Sequence, residues 1–413
     1  MLTTYFKSPH SMDKYRSGLA GPHLDDFIAW LEGLGYRWNS VRRCIQAIAV
    51  FSDWAITEGL TVHMLDRGAL DKLRRYLADR KILHYPNGSH NHVYRSARVF
   101  VSYLEDAGVV ALCDPQPTAE DPVLLQEFAQ WMQLHRGTKD STLACYRRSI
   151  IALLQRLGNE PNTYTAKGLR EFLRAQMEGS SQEKSKILAT AIRMFLRFLI
   201  ARCNCATGFE QAVPSVARWR LSSRPKYISD KDVESLIDSC NQASPLGARD
   251  RSILLLLARL GLRAGEVSAL KIADLNWTEG TLIISGKNRR ETRLPLTQEV
   301  GDAILHYLKH GRPHVESDHV FITNIAPFTA ITRFAVSGTV DRALHQTGIN
   351  SPSRGAHLLR HSVATSLLRQ GVSLPAIGAL LRHASIETTT VYAKVDFALL
   401  KEVAMSWPEV PSC

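Results

Sequence analysis

The chain lacks what would place it in a membrane or outside the cell. No apolar run approaches the ~20 residues a bilayer-spanning helix needs; the longest, residues 253–258, has the length of a core segment. Its start, MLTTYFKSPH, has no apolar signal centre. The cysteines are seven and scattered: Cys44, Cys113, Cys145, Cys203, Cys205, Cys240 and Cys413. Their odd number and the absence of C-x-x-C spacing argue against a disulfide framework and a zinc site. Cys203 and Cys205 have no histidine nearby to extend them into a metal set. Reduced thiols in a cytoplasmic protein are expected, and neither metal nor cofactor is. Acidic residues are also in deficit, with 39 Asp+Glu against 51 Lys+Arg, a formal charge of +12 and a pI near 9.4. Such a balance favours a polyanionic partner.

At 413 residues the chain exceeds one ordinary core, so two or three domains are expected. Apolar residues recur at three- and four-residue spacing in segments such as 24–34, 40–58 and 124–134, which predicts helices. Two stretches follow one plan. Phe27 and Trp30 in FIAW match Phe128 and Trp131 in FAQW, and Ser40 and Cys44 match Ser141 and Cys145 at the same offset. Further on, RVFVSYL at 98–104 resembles RMFLRFL at 193–199. Two related helical domains, 1–115 and 122–206, are therefore expected. Prolines make CDPQPTAEDP a linker between them, and a basic linker is expected over 207–226. Beyond it, ISDKDVE offers Ser229 or Asp230 as a helix cap with acids in the first turn, opening a third domain over 227–413. Inside that domain, TLIIS and TRLPL read as strands joined by a basic turn, and helix returns from Gln298. The fold expected is mainly α with a small β-sheet.

Residues 357–392 concentrate the chemistry. HLLRH is followed by an apolar helical run and then by LLRHASIETTTVY. Together they supply histidines, an arginine and a tyrosine: groups that bind a phosphodiester, move protons and attack with a phenolic oxygen. Tyrosine has an unperturbed pKa of ~10, so as a nucleophile it needs cations and a base around it. His357 and Arg360, three apart, share a helix face, whereas His361 is expected to point elsewhere and pack. Ser385 or a threonine is expected to cap a helix bearing Tyr392. Upstream, Arg263 and Glu266 stand one turn apart in LLLARLGLRAGEVSAL, read as one helical run, and Lys287 lies in the strand-joining turn. Each residue alone has an ordinary structural explanation. Their order does not.

The succession GLRAGE, GK in a turn, HLLRH and LRHASIETTTVY resembles the tyrosine recombinase, or phage integrase, family over residues ~227–400. The resemblance implies SAM-like helical DNA-binding domains followed by a mixed α/β catalytic domain. It makes Tyr392 the nucleophile, Arg263 and Arg360 the phosphate-clamping arginines, and Lys287 the lysine that protonates the leaving 5′ oxygen. His357 would accept the tyrosine proton, His383 would bond the phosphate, and Glu266 would support a basic neighbour. A 3′-phosphotyrosyl intermediate conserves the bond energy, so rejoining needs neither ATP nor metal. Two positions depart from the pattern: Arg382 replaces the glycine before the second histidine, and Asn288 the glycine after the turn lysine. Arg382 is expected to add a phosphate contact.

Further DNA contacts are expected from Arg193, Arg197 and Arg202, opposite Phe195, Phe198 and Leu199, and from Arg147 and Arg148, with Arg42 and Arg43 comparable in the first copy. The resemblance implies double-stranded recombination sites as partners, a homotetramer on DNA, other recombinases of the same mobile element, and a role in integration or transposition. An amphipathic segment at 397–405 would pack on a neighbouring protomer or on its own domain. Two other readings remain: a DNA-binding accessory protein with an idle site, and a type IB-like topoisomerase.

Overall fold

The structure is a computed structural model and describes residues 1–83, 91–110, 121–216, 225–285, 291–383 and 385–395. Its contacts divide the chain into two units: residues 1–65, 70–109 and 223–413 in one, and 66–69 with 110–222 in the other.

Among the described residues, the N-terminal part of the chain forms the helices α1 (Leu2–Tyr5), α2 (Pro9–Ser17), α3 (Leu24–Gly33), α4 (Trp38–Thr57), α5 (Arg67–Asp79) and α6 (His92–Asp106). The second unit repeats the order of the last four as α7 (Val123–Arg136), α8 (Asp140–Leu157), α9 (Ala166–Met177) and α10 (Gln182–Ala201). A 3₁₀ turn precedes the third helix of each set, Val62–Met64 and Pro161–Thr163. The aromatic packing repeats as well. Phe27 meets Phe100 edge-on at 5.0 Å and 82°, while Phe128 meets Phe195 at 5.5 Å and 82°. Trp30 lies 5.8 Å from Tyr103, and Trp131 lies 5.9 Å from Phe198. Edge-to-face rings fix relative helix orientation more tightly than aliphatic contacts do. The linker expected from residue 207 starts later than that. Phe209–Ala212 forms a 3₁₀ turn, and Val213 is buried in the core around α10, because this stretch keeps apolar side chains among its glycine and proline.

The C-terminal part is built around α12 (Pro245–Arg259). Ile253 and Leu254 to Leu257 are buried all round, as expected of a helix enclosed by neighbours on every side. It packs against α11 (Asp230–Asp238), α14 (Gln298–His310), α15 (Arg333–Thr347) and α16 (Ala356–Arg369). Ser229 caps α11 in a reciprocal box with Asp232. Three antiparallel strands follow in the order β1 (Leu275–Asn276), β2 (Thr281–Ser285) and β3 (Glu291–Pro295), with Ile283 opposite Arg293. The turn between β2 and β3, which carries Lys287, lies outside the described residues.

Two expectations change here. The run around Arg263 is not one helix. After α12 ends at Arg259, Gly261 takes φ +57 and Arg263 begins a separate short helix, α13 (Ala264–Ala269). A side chain at Gly261 would also meet Leu381, 2.6 Å from an added Cβ. Nor does an α-helix carry Tyr392: after α17 (Leu374–Leu380) come two 3₁₀ turns, Ile386–Thr388 and Thr390–Val395. Ser385 does accept from the Glu387 backbone N–H at 3.2 Å, but the threonine run does not continue into α-helix.

Candidate active site

The break at Gly261 and the end of α17 bring three guanidinium groups together. Arg263 caps α13, and its Nη1 donates to Glu266 Oε1 at 2.6 Å. Its backbone N–H donates to Glu266 Oε2 at 2.9 Å. Arg360, on the inner face of α16, is buried; its guanidinium donates to the carbonyls of Gly261 and Leu381. Burial, together with the nearby charges of Arg263 and Arg382, pushes the Arg360 pKa down to about 10. Glu266 is also buried. Burial alone would raise its pKa; the Arg263 backbone donor and the charges of Arg382 and Arg263 hold it below the ordinary carboxylate value.

Arg382 departs from expectation. Its side chain is only 8% exposed and is turned inward, with Nη2 donating to Glu266 Oε2 at 2.9 Å and Nη1 to the Leu380 carbonyl at 2.9 Å. In this arrangement the guanidinium is committed to a carboxylate.

Beside the arginines stands a stack of rings. Tyr392 is 1% exposed, packed among Ala364, Leu368, Ile377 and Leu381. Its ring lies parallel to that of His383, 6.4 Å away with 6° between planes. The Tyr392 hydroxyl lies 2.9 Å from Nδ1 of His361, which accepts the phenolic proton's hydrogen bond when the ring proton sits on Nε2. Helical spacing favours His357 as Arg360's companion and leaves His361 as a packing residue. Tyr392 arrives from another element, and no spacing rule announces that. His357 is on the exposed side of α16, with its ring 6.1 Å from that of His361.

Burial raises the Tyr392 pKa to about 12, and Arg360 opposes the shift. Burial lowers His361 and His383 to about 4, with further lowering from the cationic neighbourhood. Partial burial, then Arg360 and Arg263, lower His357 too. Nδ1 of His383 lies 2.8 Å from the Thr389 hydroxyl. The rest state is therefore a neutral phenol bonded to a neutral imidazole beside a cationic corner. Anionic charge arriving at that corner would find it already positive.

The residues expected to touch DNA are less uniform. Arg148 and Arg197 are exposed. Arg147 donates from Nε to Asp121 at 2.8 Å. Arg193 donates to the carbonyls of Val213 and Pro214, at 3.1 and 3.3 Å. Arg202 pairs with Glu127 at 2.6 Å and lies over the Phe198 ring. In the first unit Arg42 lies over Phe6 and Trp38, with Arg43 exposed beside it. Among the described residues there is no group of three His, Cys, Asp or Glu able to hold a metal, and no helix long and apolar enough to cross a membrane.

The model of the phage integrase family matches residues 226–398. Over 98% of this chain and 98% of its own length, "Putative integrase/recombinase y4rA" of Sinorhizobium fredii (strain NBRC 101917 / NGR234) is 31% identical. The chain belongs to the phage integrase family. It is a tyrosine-type site-specific DNA recombinase. The tyrosine recombinase XerD of Yersinia pestis is 29% identical over 69% of this chain and 96% of its own. The fold is shared with XerH site-specific recombinase in a post-cleavage complex with palindromic difH substrate, at TM-score 0.56 and 20% identity over 69% of this chain and 85% of that one. It is also shared with the Tn1549 transposon integrase in complex with transposon right end DNA, at TM-score 0.53 and 18% identity over 68% and 99%.

Proposed function

We propose that this integrase cleaves and rejoins duplex DNA through a 3′-phosphotyrosyl bond on Tyr392, in the movement of a mobile element. The observation that carries the reading is the Tyr392 hydroxyl bonded to His361 within a site that also holds Arg360, Arg263 and His383. Arg263 and Arg360 would hold the two non-bridging phosphate oxygens, stabilising the charge that builds on them. The phenolic oxygen attacks phosphorus, its proton passes to His361, and the P–O5′ bond breaks. Lys287 supplies a proton to the departing 5′ oxygen. In rejoining, the free 5′ hydroxyl attacks the phosphotyrosyl bond and the proton movements reverse. His383, no longer stacked on Tyr392, would donate to the phosphate. His357, nearer the exposed side, is assigned to the incoming DNA rather than to the phenol.

Tyr392 is covered, so the turns over Ile386–Thr388 and Thr390–Val395 must shift for the phenol to reach phosphate. The repeated aromatic packing supports two copies of one helical domain, and in the second the exposed Arg148 and Arg197 would contact DNA. Four DNA arms exchange in recombination, so a homotetramer on paired sites follows, with other recombinases of the element as co-assembling partners. The Tn1549 integrase's complex with transposon end DNA supports the mobile-element role.

The test is covalent capture. The full chain is incubated with sheared genomic DNA of its source organism, denatured in detergent, and the protein-linked fragments are sequenced. Wild-type protein should yield adducts at recurring sites, and Tyr392→Phe none. Adducts of equal yield in Tyr392→Phe would end the assignment of the nucleophile.

A further inference from the structure

Position 382 is one of two at which this chain departs from the family pattern, and the departure carries two unfavourable features. The backbone there has φ +51, in the left-handed region that suits glycine. The side chain takes a charge out of water, and its buried Nε has no hydrogen-bond partner among the described residues. A glycine would avoid both. What the arginine gains is Glu266. That carboxylate accepts from Arg382 and from the Arg263 backbone on one oxygen, and from the Arg263 guanidinium on the other. The Arg382 carbonyl in turn accepts from Arg263 Nη2 at 3.3 Å. Arg263 is therefore held by Arg382 twice, through a shared carboxylate and directly through a main-chain oxygen. The next residue along the chain is His383.

We propose that Arg382 is a positioning residue, which clamps Arg263 and the His383 segment into one rigid corner through Glu266 and acts without touching DNA. The inference rests on the DNA cleavage proposed above. Formally, Arg263, Arg360 and Arg382 carry three positive charges against one negative on Glu266, leaving +2 at the corner; glycine at 382 would leave +1. Arg382 thus offsets the carboxylate that would otherwise claim most of Arg263's charge, and leaves Arg263 free to act on phosphate.

The test uses a synthetic duplex carrying a site recovered by covalent capture with the wild-type chain, nicked so that cleavage traps the adduct. Arg382→Gly, Arg382→Asn and Arg382→Lys are compared in the full chain. A displacement of the clamp by ~1 Å is worth about 10²-fold in rate. Arg382→Gly should therefore cleave about 10- to 100-fold more slowly at saturating protein, with DNA affinity and its salt dependence unchanged. Because glycine suits the backbone, its melting temperature should not fall. Arg382→Asn also tolerates the left-handed backbone and should behave like the glycine variant, which keeps the test open if that one folds poorly. Arg382→Lys can still pair with Glu266 and should recover most of the rate.

A glycine variant that cleaves at the wild-type rate overturns the proposal. So does a lysine variant as slow as the glycine one. A loss confined to affinity, with a salt slope reduced by about one, would instead make Arg382 a phosphate contact. Wild-type protein that forms no adduct on any DNA would sink the proposed cleavage itself, whereas wild-type adducts with an unchanged Arg382→Gly rate would sink only this role.

Discussion

Replacing His361 with phenylalanine tests the proton path at the nucleophile. With its pKa raised to about 12, the Tyr392 phenol is ionised in about one molecule in 10⁴ at pH 8, against about one in 10² for an unperturbed tyrosine. That deficit is worth ~2.7 kcal/mol. If cleavage waited for spontaneous ionisation, its rate would climb about tenfold per pH unit from pH 6 to 9. A neutral imidazole 2.9 Å from the hydroxyl removes that dependence by taking the proton as the O–P bond forms. His361, lowered to about 4, is neutral across the whole range, and an arriving phosphodiester anion raises its pKa back toward the ordinary value, making it a better base. Single-turnover cleavage of a nicked site should therefore vary by less than about threefold between pH 6 and 9. His361→Phe should slow it by about 10²–10⁴-fold at pH 7, the usual worth of a positioned base, and introduce a slope near one. DNA affinity, read by mobility shift, should not change. His361→Asn keeps a hydrogen-bond acceptor without a base, so it should preserve the fold and lose the same rate. A wild-type profile that climbs tenfold per unit, together with His361→Phe within threefold of wild type, would refute the reasoning.

Other outcomes follow from the same geometry. The depressed pKa values of His361 and His383 mean that the unfolded chain binds protons more readily than the folded one between about pH 6.5 and 4. Stability should be full above pH 6.5 and fall as pH drops towards 4, and proton NMR should show neither ring titrating between pH 6 and 8. Glu266→Gln leaves Arg382 buried without its counter-charge, at a cost of about 3–5 kcal/mol; a melting temperature unchanged from wild type would contradict the geometry. Phe128→Ala opens the aromatic cluster of the second unit and should cost about 3–5 kcal/mol, as should Phe27→Ala in the first. Urea unfolding that distinguishes the two sharply would argue against equivalent packing.

Much of this was legible in the chain itself. The short strands, the capping box at Ser229 and the helices at 24–34, 40–58 and 124–134 all follow from local periodicity and turn chemistry, which act over a few residues. The ordered motifs pointed to the family because their residue types and succession are restrictive. The misreadings were of another kind. The run from Leu255 to Leu270 scans as one helix, but Gly261 at φ +57, where an added Cβ would meet Leu381 from far along the chain, divides it. His361 looked idle because its partner lies 31 residues away on a separate turn. Arg382 is expected from the sequence to face DNA, and its pairing with a carboxylate 116 residues upstream is not visible there. In each case the deciding contact is long-range, where sequence spacing carries no information.

The two carbonyls that hold Arg360, those of Gly261 and Leu381, have a consequence for substrate choice. They act as place-holders, giving a buried cation the oxygens it needs before any DNA arrives. Engagement of a phosphate by this arginine is thus an exchange of one acceptor for another, and its net gain is small unless the newcomer is charged and held at the right height. A duplex gripped elsewhere by the helical domains meets that condition, and a freely diffusing anion does not. Under the cleavage proposed above, such a site would respond weakly to free phosphate and strongly to phosphate presented by a bound strand.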